Sequence, residues 1–287
     1  MLWFFLSLLT ALAVACRDVS VKVFADLTPP DVAMLELFWS LPLLGLGCLL
    51  VEVPPLDATF WWTFVVSLPI NMAAYLLYLY AIKMSPLTLT LPLLAFTPVF
   101  MIMTGFLVLG EGVTFWGGTG IVLIVFGSYV LNLNRADSGL LQPVAALFQE
   151  KGSWLMLIVA FIFSFAAVIG KKAILHSSPL FFTFFFFLVF NIATLLVLSL
   201  AGRCCWRRLA DKRWQGMWLG GLLVLHVGCH GLAIAISAAV YMVAVKRSSI
   251  VFSVLLSWLF LHEEQAALRG LATLLMFSGV LLITFLG

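Results

Sequence analysis

Residues 109–127, LGEGVTFWGGTGIVLIVFG, return 152 positions later as LHEEQAALRGLATLLMFSG, residues 261–279. Leu109 falls on Leu261, Glu111 on Glu263, Gly118 on Gly270 and Gly127 on Gly279. The same offset carries Ala81-Ile82 onto Ala233-Ile234 and Ser85 onto Ser237. An offset of 149 carries Ala11 onto Ala160, Val19 onto Val168, Lys22 onto Lys171, Pro30 onto Pro179 and Phe38 onto Phe187. Apolar coincidences weigh little in so apolar a chain, so the Lys, Pro, Glu and Gly columns carry the match. The register holds without gaps inside each block, and the three-residue difference falls in a loop. The chain is a duplication of one unit.

Composition says where that unit resides. Of 287 residues, 64% are apolar and 9% charged, whereas a water-soluble domain carries about 25% charged residues. A soluble enzyme with one anchor, a nucleic-acid binder and a secreted disulfide scaffold are thereby excluded. Cys16, Cys48, Cys204, Cys205 and Cys229 show no paired spacing, so neither a disulfide framework nor a metal site is expected, and no cofactor. An apolar bilayer core of about 30 Å takes about 20 helical residues to cross. Apolar runs between breakers give ten spans, at 2–25, 31–51, 59–82, 86–109, 113–133, 153–173, 179–201, 215–235, 239–261 and 265–286. Met1-Leu2-Trp3-Phe4 has no basic stretch before it and reads as the start of the first span rather than a signal peptide. Barrel strands would alternate apolar and polar residues, and these runs are apolar all round. The expected fold is all-α, ten transmembrane helices in two five-helix repeats, 1–134 and 153–287, joined by a linker at 135–152. Because five is odd, the second repeat enters the membrane from the opposite side. Inverted repeats with a site between them suit alternating-access carriers.

Within each half the last two spans carry recurring marks: Leu91-Pro92 to Pro98-Val99, Leu109-Gly110-Glu111, Gly118 and Gly127, then Leu261-His262-Glu263, Gly270 and Gly279. Over its whole length the chain resembles the EamA-type carriers of the drug/metabolite transporter superfamily. The resemblance implies two inverted halves around a central cavity that moves small metabolites. The second half departs from the first where Lys246-Arg247 replace Leu94 and Ala95, and where Ile250 replaces Pro98.

An ionisable side chain at the centre of a span costs about 2.5–3.5 kcal/mol on insertion scales, so such residues face a cavity, a partner or an interface. In a span running 239–261, Lys246 and Arg247 lie about 10–12 Å from one end by the helical rise, too deep for easy snorkelling. Alternatively the span is broken there and the pair lies in a loop. Arg offers a bidentate fork to phosphate or carboxylate and Lys a point charge, so the pair suits an anion. With Ser248 to Leu256 it also resembles the Lys-Arg helix of plastid triose-phosphate translocators, which grips the substrate phosphate. Arg17, Asp18 and Lys22 share the first span, where Asp18 and Lys22 can pair at a spacing of four while Arg17 points about 100° away. Lys171 and Lys172 end the sixth span, where a lysine can snorkel. Glu36, the lone carboxylate inside the second span, reads as the counter-ion of Arg17 or Lys246, or as a proton-coupling group. Glu111 and Glu263 read as interfacial residues near the helices that follow. His226 and His230 read as polar cavity lining rather than a metal pair, with Tyr78 in the column of His230 on a third span that also carries Asn71, Tyr75 and Tyr80. The phenylalanines at 181–187 read as lipid-facing or packing surface.

The candidate substrate-binding set is therefore Lys246, Arg247, Arg17, Lys22, Lys171, Tyr78 and His230, with Glu36 and Asp18 as coupling or counter-ion groups. The expected function is secondary active transport of a small anionic metabolite, phosphorylated or carboxylated, with proton or counter-anion coupling. Export of amino acids or cationic and aromatic compounds, or flipping of an anionic lipid headgroup, remains open. A membrane-embedded enzyme would need a convergent nucleophile or metal set, and His226 with His230 lacks partners for one. The expected setting is the bacterial inner membrane, as monomer or homodimer. Loop 202–214 holds Arg203, Arg207, Arg208, Lys212 and Arg213 against Asp211, and its counterpart 52–58 holds Glu52 and Asp57. By the positive-inside rule that loop is cytoplasmic and both termini lie outside, with the basic residues near anionic headgroups.

Overall fold

The computed structural model describes residues 1–84, 91–130, 151–203, 206–261 and 267–287, and every regular element among them is helical. Ser85-Pro86, residues 135–150 of the linker, Cys204, Cys205 and His262-Glu263-Glu264 lie outside the described residues. The first half contributes α1 (Leu2–Val23), α2 (Pro29–Leu50), α3 (Ala58–Met84), a 3-10 helix (Leu91–Phe96), α4 (Thr97–Leu109) and α5 (Phe115–Val130). The second contributes α6 (Lys151–Leu175), α7 (Pro179–Leu200), the short α8 (Trp206–Asp211), α9 (Arg213–Ala235), α10 (Ala239–Lys246), α11 (Ser249–Leu261) and α12 (Ala267–Leu286). Among the described residues six helices, α1, α2, α3, α6, α7 and α9, are long and apolar enough to cross a membrane.

Helix starts follow the duplication. The first helices begin at 2 and 151, the second at 29 and 179, the fourth at 97 and 249, and the last at 115 and 267. The chemistry of the starts repeats too. Pro29 occupies the first turn of α2 behind Thr28, whose N–H donates to Asp31 Oδ2 at 3.0 Å. Pro179 does the same in α7 behind Ser178, whose hydroxyl accepts from the Phe181 N–H at 3.3 Å. A proline that lacks an N–H loses nothing at this position, and the cap satisfies one of the orphan donors.

The continuous span expected over 239–261 is interrupted instead. α10 ends at Lys246 and α11 starts at Ser249, linked by tight turns in which Ser248 N–H donates to Val245 O and Ile250 N–H to Arg247 O, each at 3.0 Å. The matching place in the first half is the 3-10 helix Leu91–Phe96 that runs into α4. Such i to i−3 bonding keeps the backbone paired while changing the helix direction, which is how a break is tolerated at membrane depth.

Helices exchange across the two halves. α1 packs on α9 and α11, while α6 packs on α3 and α4, the equivalent set; α2 packs on α7 and α5 on α12. Closeness is set by residue size. A Cβ on Gly120 would lie 2.6 Å from the Gly279 carbonyl, and one on Gly127 would lie 2.9 Å from the Ala272 carbonyl, so α5 and α12 cross backbone to backbone. A Cβ on Gly220 would lie 2.7 Å from the Ser40 nitrogen, which brings α9 equally close to α2. α3 and α7 meet through rings instead, Phe64 stacking on Phe185 with centroids 5.3 Å apart.

Candidate functional site

A chamber of about 180 Å³ lies where the halves meet. Both helix breaks reach it: Leu94 and Thr97 from the first, Lys246 and Arg247 from the second. α1 supplies Arg17, α2 Glu36, α3 Asn71, Tyr75 and Tyr78, α6 Lys171, and α9 His226 and His230.

One wall is a closed ionic cluster. Arg17 is buried, 6% exposed, and grips the fully buried Glu36 with two bonds, Nε to Oε1 at 2.7 Å and Nη2 to Oε2 at 2.8 Å. Its Nη1 donates to Asp18 Oδ1 at 3.3 Å, so the 100° separation expected along α1 does not keep the two side chains apart. A guanidinium on a long flexible stem can swing back to its neighbour. The Tyr75 hydroxyl donates to Glu36 Oε2 at 2.6 Å, and that of Tyr78 to Asp18 Oδ2 at 2.7 Å. The guanidinium also lies over both rings, 5.6 and 5.4 Å from their centroids, which adds cation–π attraction. Glu36 is the counter-ion of Arg17. Asp18 stands behind Arg17 rather than in the chamber lining, and Lys22, in the last turn of α1, is outside the lining too.

The opposite wall is built differently. Arg247 is 6% exposed; its Nη2 donates to Thr97 Oγ1 at 2.8 Å, and its Nε has no hydrogen-bond partner among the described residues. Lys246 Nζ lies 2.8 Å from His226 Nε2, the geometry of an ammonium donating to an imidazole nitrogen that carries no proton there. His230 stacks edge-on to His226 with centroids 6.1 Å apart, and its buried Nδ1 is unpartnered among the described residues. Both cations thus rest on neutral partners.

Lys171 is placed otherwise than at a snorkelling end. It is buried, 6% exposed, lines the chamber, forms an ion pair with Glu111 and donates to the Ser237 carbonyl at 2.5 Å. Glu111 in turn accepts the Ala239 N–H at 2.9 Å. Rather than serving the helix that follows it, Glu111 caps α10 in the other half. A carboxylate at a helix N-terminus is favourable there, and it ties the turn after α4 to the start of the broken span. The phenylalanine run is a packing surface, Phe182 meeting Phe60 and Phe186 meeting Phe64, and Phe182, Phe186, Phe187 and Phe190 on α7, with Phe163 on α6, also form the apolar side of the chamber.

The site set drawn from the sequence left out Tyr75, Thr97, Glu111 and His226, although His226 was read as polar cavity lining and Tyr75 was noted on the span of Tyr78. Tyr75 and His226 were visible as polar residues within apolar spans, and Glu111 as a repeat column; Thr97 carried no signal. Outside the chamber, the basic loop reaches the first half, Arg208 pairing with Asp31 and Lys212 with Asp26 at 2.6 Å. The Lys212 ammonium holds the Asp26 carboxyl below its ordinary range.

Residues 1–133 match the model of the EamA-like transporter family, somewhat less than half of the chain. No curated protein matches the chain in sequence. A solved structure titled only "Crystal structure of protein" superposes with a TM-score of 0.72 at 16% identity, covering 99% of this chain and 96% of the other. That likeness shows a shared fold over the whole length. The six long apolar helices, with the family match over residues 1–133, support a multi-pass integral membrane protein.

Proposed function

We propose that this chain, with its EamA-like first half, is a secondary active carrier of a small anionic metabolite, carboxylated or phosphorylated, working by alternating access between two inverted five-helix halves. The observation that carries the reading is the chamber wall at Lys246 and Arg247, where two cations bond to a threonine and a histidine and, among the described residues, no carboxylate lies within ion-pair distance. Buried charge without a counter-charge is costly, and an anionic ligand offsets that cost on arrival. Broken helices at mid-membrane supply such sites in carriers. The matching starts of four of the five helices in the two halves and their exchanged packing support an inverted repeat.

Export of cationic compounds would need a carboxylate free to receive them. Glu36 and Asp18 are already committed to Arg17 and two tyrosines, which weighs against that reading.

The test is uptake by the protein reconstituted in liposomes, over a panel of radiolabelled carboxylates and phosphate esters. At least one anion should accumulate. Lys246→Gln and Arg247→Gln should each lower its rate by about 10- to 100-fold, the scale of one lost charge-assisted bond of about 1.5–3 kcal/mol. Wild-type transport in both variants, or no accumulated anion at all, overturns the proposal.

A further inference from the structure

The charges around the chamber narrow the substrate further, an inference that rests on the anion reading above. Four cations line it: Arg17, Lys171, Lys246 and Arg247. Three carboxylates are bound to them, Glu36 and Asp18 on Arg17 and Glu111 on Lys171. Among the described residues the fully ionised site therefore carries one positive charge in excess: the Arg17 cluster is one negative, the Lys171–Glu111 pair is neutral and the Lys246–Arg247 wall is two positive. A single negative charge balances it. A phosphate monoester, which carries nearly two, would leave the buried site negative. An amino acid would bring an ammonium with no acceptor, since both carboxylates of the Arg17 cluster are taken.

Size and shape point the same way. An apolar cavity of about 150 Å³ accepts one benzene ring, so a chamber of about 180 Å³ holds one ring or branched chain and its acid group. Phe182, Phe186, Phe187 and Phe190 provide an apolar surface for that body. Lys246, Arg247 and His230 line the same chamber and bring polar side chains to the place where its head group would sit. We propose that the chamber selects singly charged carboxylates with a compact apolar body over phosphate monoesters, zwitterions and neutral isosteres.

The experiment measures the unfolding midpoint of the full chain in detergent against benzoate, phenyl phosphate, benzamide, phenylalanine and benzylamine, since a ligand that binds the folded state raises the midpoint. Benzoate should raise it with an affinity at least about 10-fold above that of phenyl phosphate, a difference of about 1.4 kcal/mol. Benzamide, phenylalanine and benzylamine should leave it unmoved. Arg247→Gln should abolish the benzoate response while Arg247→Lys, which keeps the charge, retains part of it. Phe187→Ala should weaken benzoate without weakening acetate. Phenyl phosphate binding as tightly as benzoate, with both responses lost in Arg247→Gln, overturns the single-charge selectivity and leaves the anion reading standing. Benzylamine or benzamide binding that ignores Arg247 overturns both. No response to any probe overturns the assignment of a compact carboxylate.

Discussion

The two charged walls of the chamber use similar residues to opposite ends. On the α1–α2–α3 side, Arg17 makes three bonds to Glu36 and Asp18, and each carboxylate takes a tyrosine hydroxyl as well. On the α10–α11 side, Lys246 and Arg247 lean on His226 and Thr97, and Arg247 keeps a buried N–H unspent. The first wall is complete without a ligand and the second is not. Buried charge alone therefore does not mark a binding site; buried charge whose neighbours are neutral does. The sequence offset of 152 sharpens the contrast, because it sets Leu94 and Ala95, at the break before α4, against Lys246 and Arg247, at the break before α11. Both places bend, and only the second carries charge.

The strongest way to break this contrast is to measure stability on both walls. Glu36→Gln removes the charge behind the two short bonds to Arg17 and leaves it only the longer contact with Asp18, and breaking a buried pair costs about 3–5 kcal/mol. Its unfolding midpoint in detergent should fall sharply. Arg247→Gln removes a buried charge that has no described carboxylate within ion-pair distance, so the ligand-free protein should be unchanged or more stable by about 1 kcal/mol. A large loss in Arg247→Gln together with a small one in Glu36→Gln would reverse the roles given to the walls.

Lys171 and Glu111 offer an intermediate case, a chamber cation that already has its carboxylate. Glu111→Gln keeps an oxygen for the Ala239 N–H but loses the charge facing Lys171. A lost charge-assisted bond of about 1.5–3 kcal/mol should lower the midpoint less than Glu36→Gln and more than Arg247→Gln. A midpoint outside that interval would show that pairing is not what separates the walls.

Much of this was legible in the sequence because lipid leaves few options. Long apolar runs gave α1, α2, α3, α6, α7 and α9, and ionisable residues inside such runs singled out Arg17, Glu36, Lys246 and Arg247. The break after Lys246 was harder to see, since neither proline nor glycine stands there and Ile250 replaces the Pro98 of the other half. Tight i to i−3 bonding made the bend, and that depends on packing between halves rather than on local propensity. Phe182 and Phe186 pack as the sequence suggested, but their place in the chamber lining was not legible because hydropathy has no direction: a phenylalanine facing lipid and one facing a chamber score alike. Lys171 shared a repeat column with Lys22, yet only Lys171 lines the chamber, because a repeat fixes a register and leaves each side chain to find its partner. Glu111 and Ser237 were noticed as repeat columns, but that they converge on Lys171 is a long-range fact no window of sequence contains.

The smallest expected effect tests whether pairing matters once water is present. Asp57, just before α3, accepts the Phe60 N–H at 2.8 Å and meets His176, in the turn after α6, at 2.7 Å. Both side chains are substantially exposed, 52% and 37%. The helix-capping N–H first, and the imidazole second, hold the Asp57 carboxyl below its ordinary range. A carboxyl depressed in the folded state stabilises it above the unfolded value of about 3.9 and loses that contribution as pH falls through the lower folded value. The wild-type midpoint should therefore drop more steeply below about pH 4 than that of Asp57→Asn, with the two curves parallel between pH about 5 and 7. Parallel curves throughout would sink the assignment. Raising ionic strength should shrink the difference here and leave the Glu36→Gln loss intact, because salt screens an exposed pair and reaches a buried one poorly. That separation is what the contrast between wet and dry pairs requires.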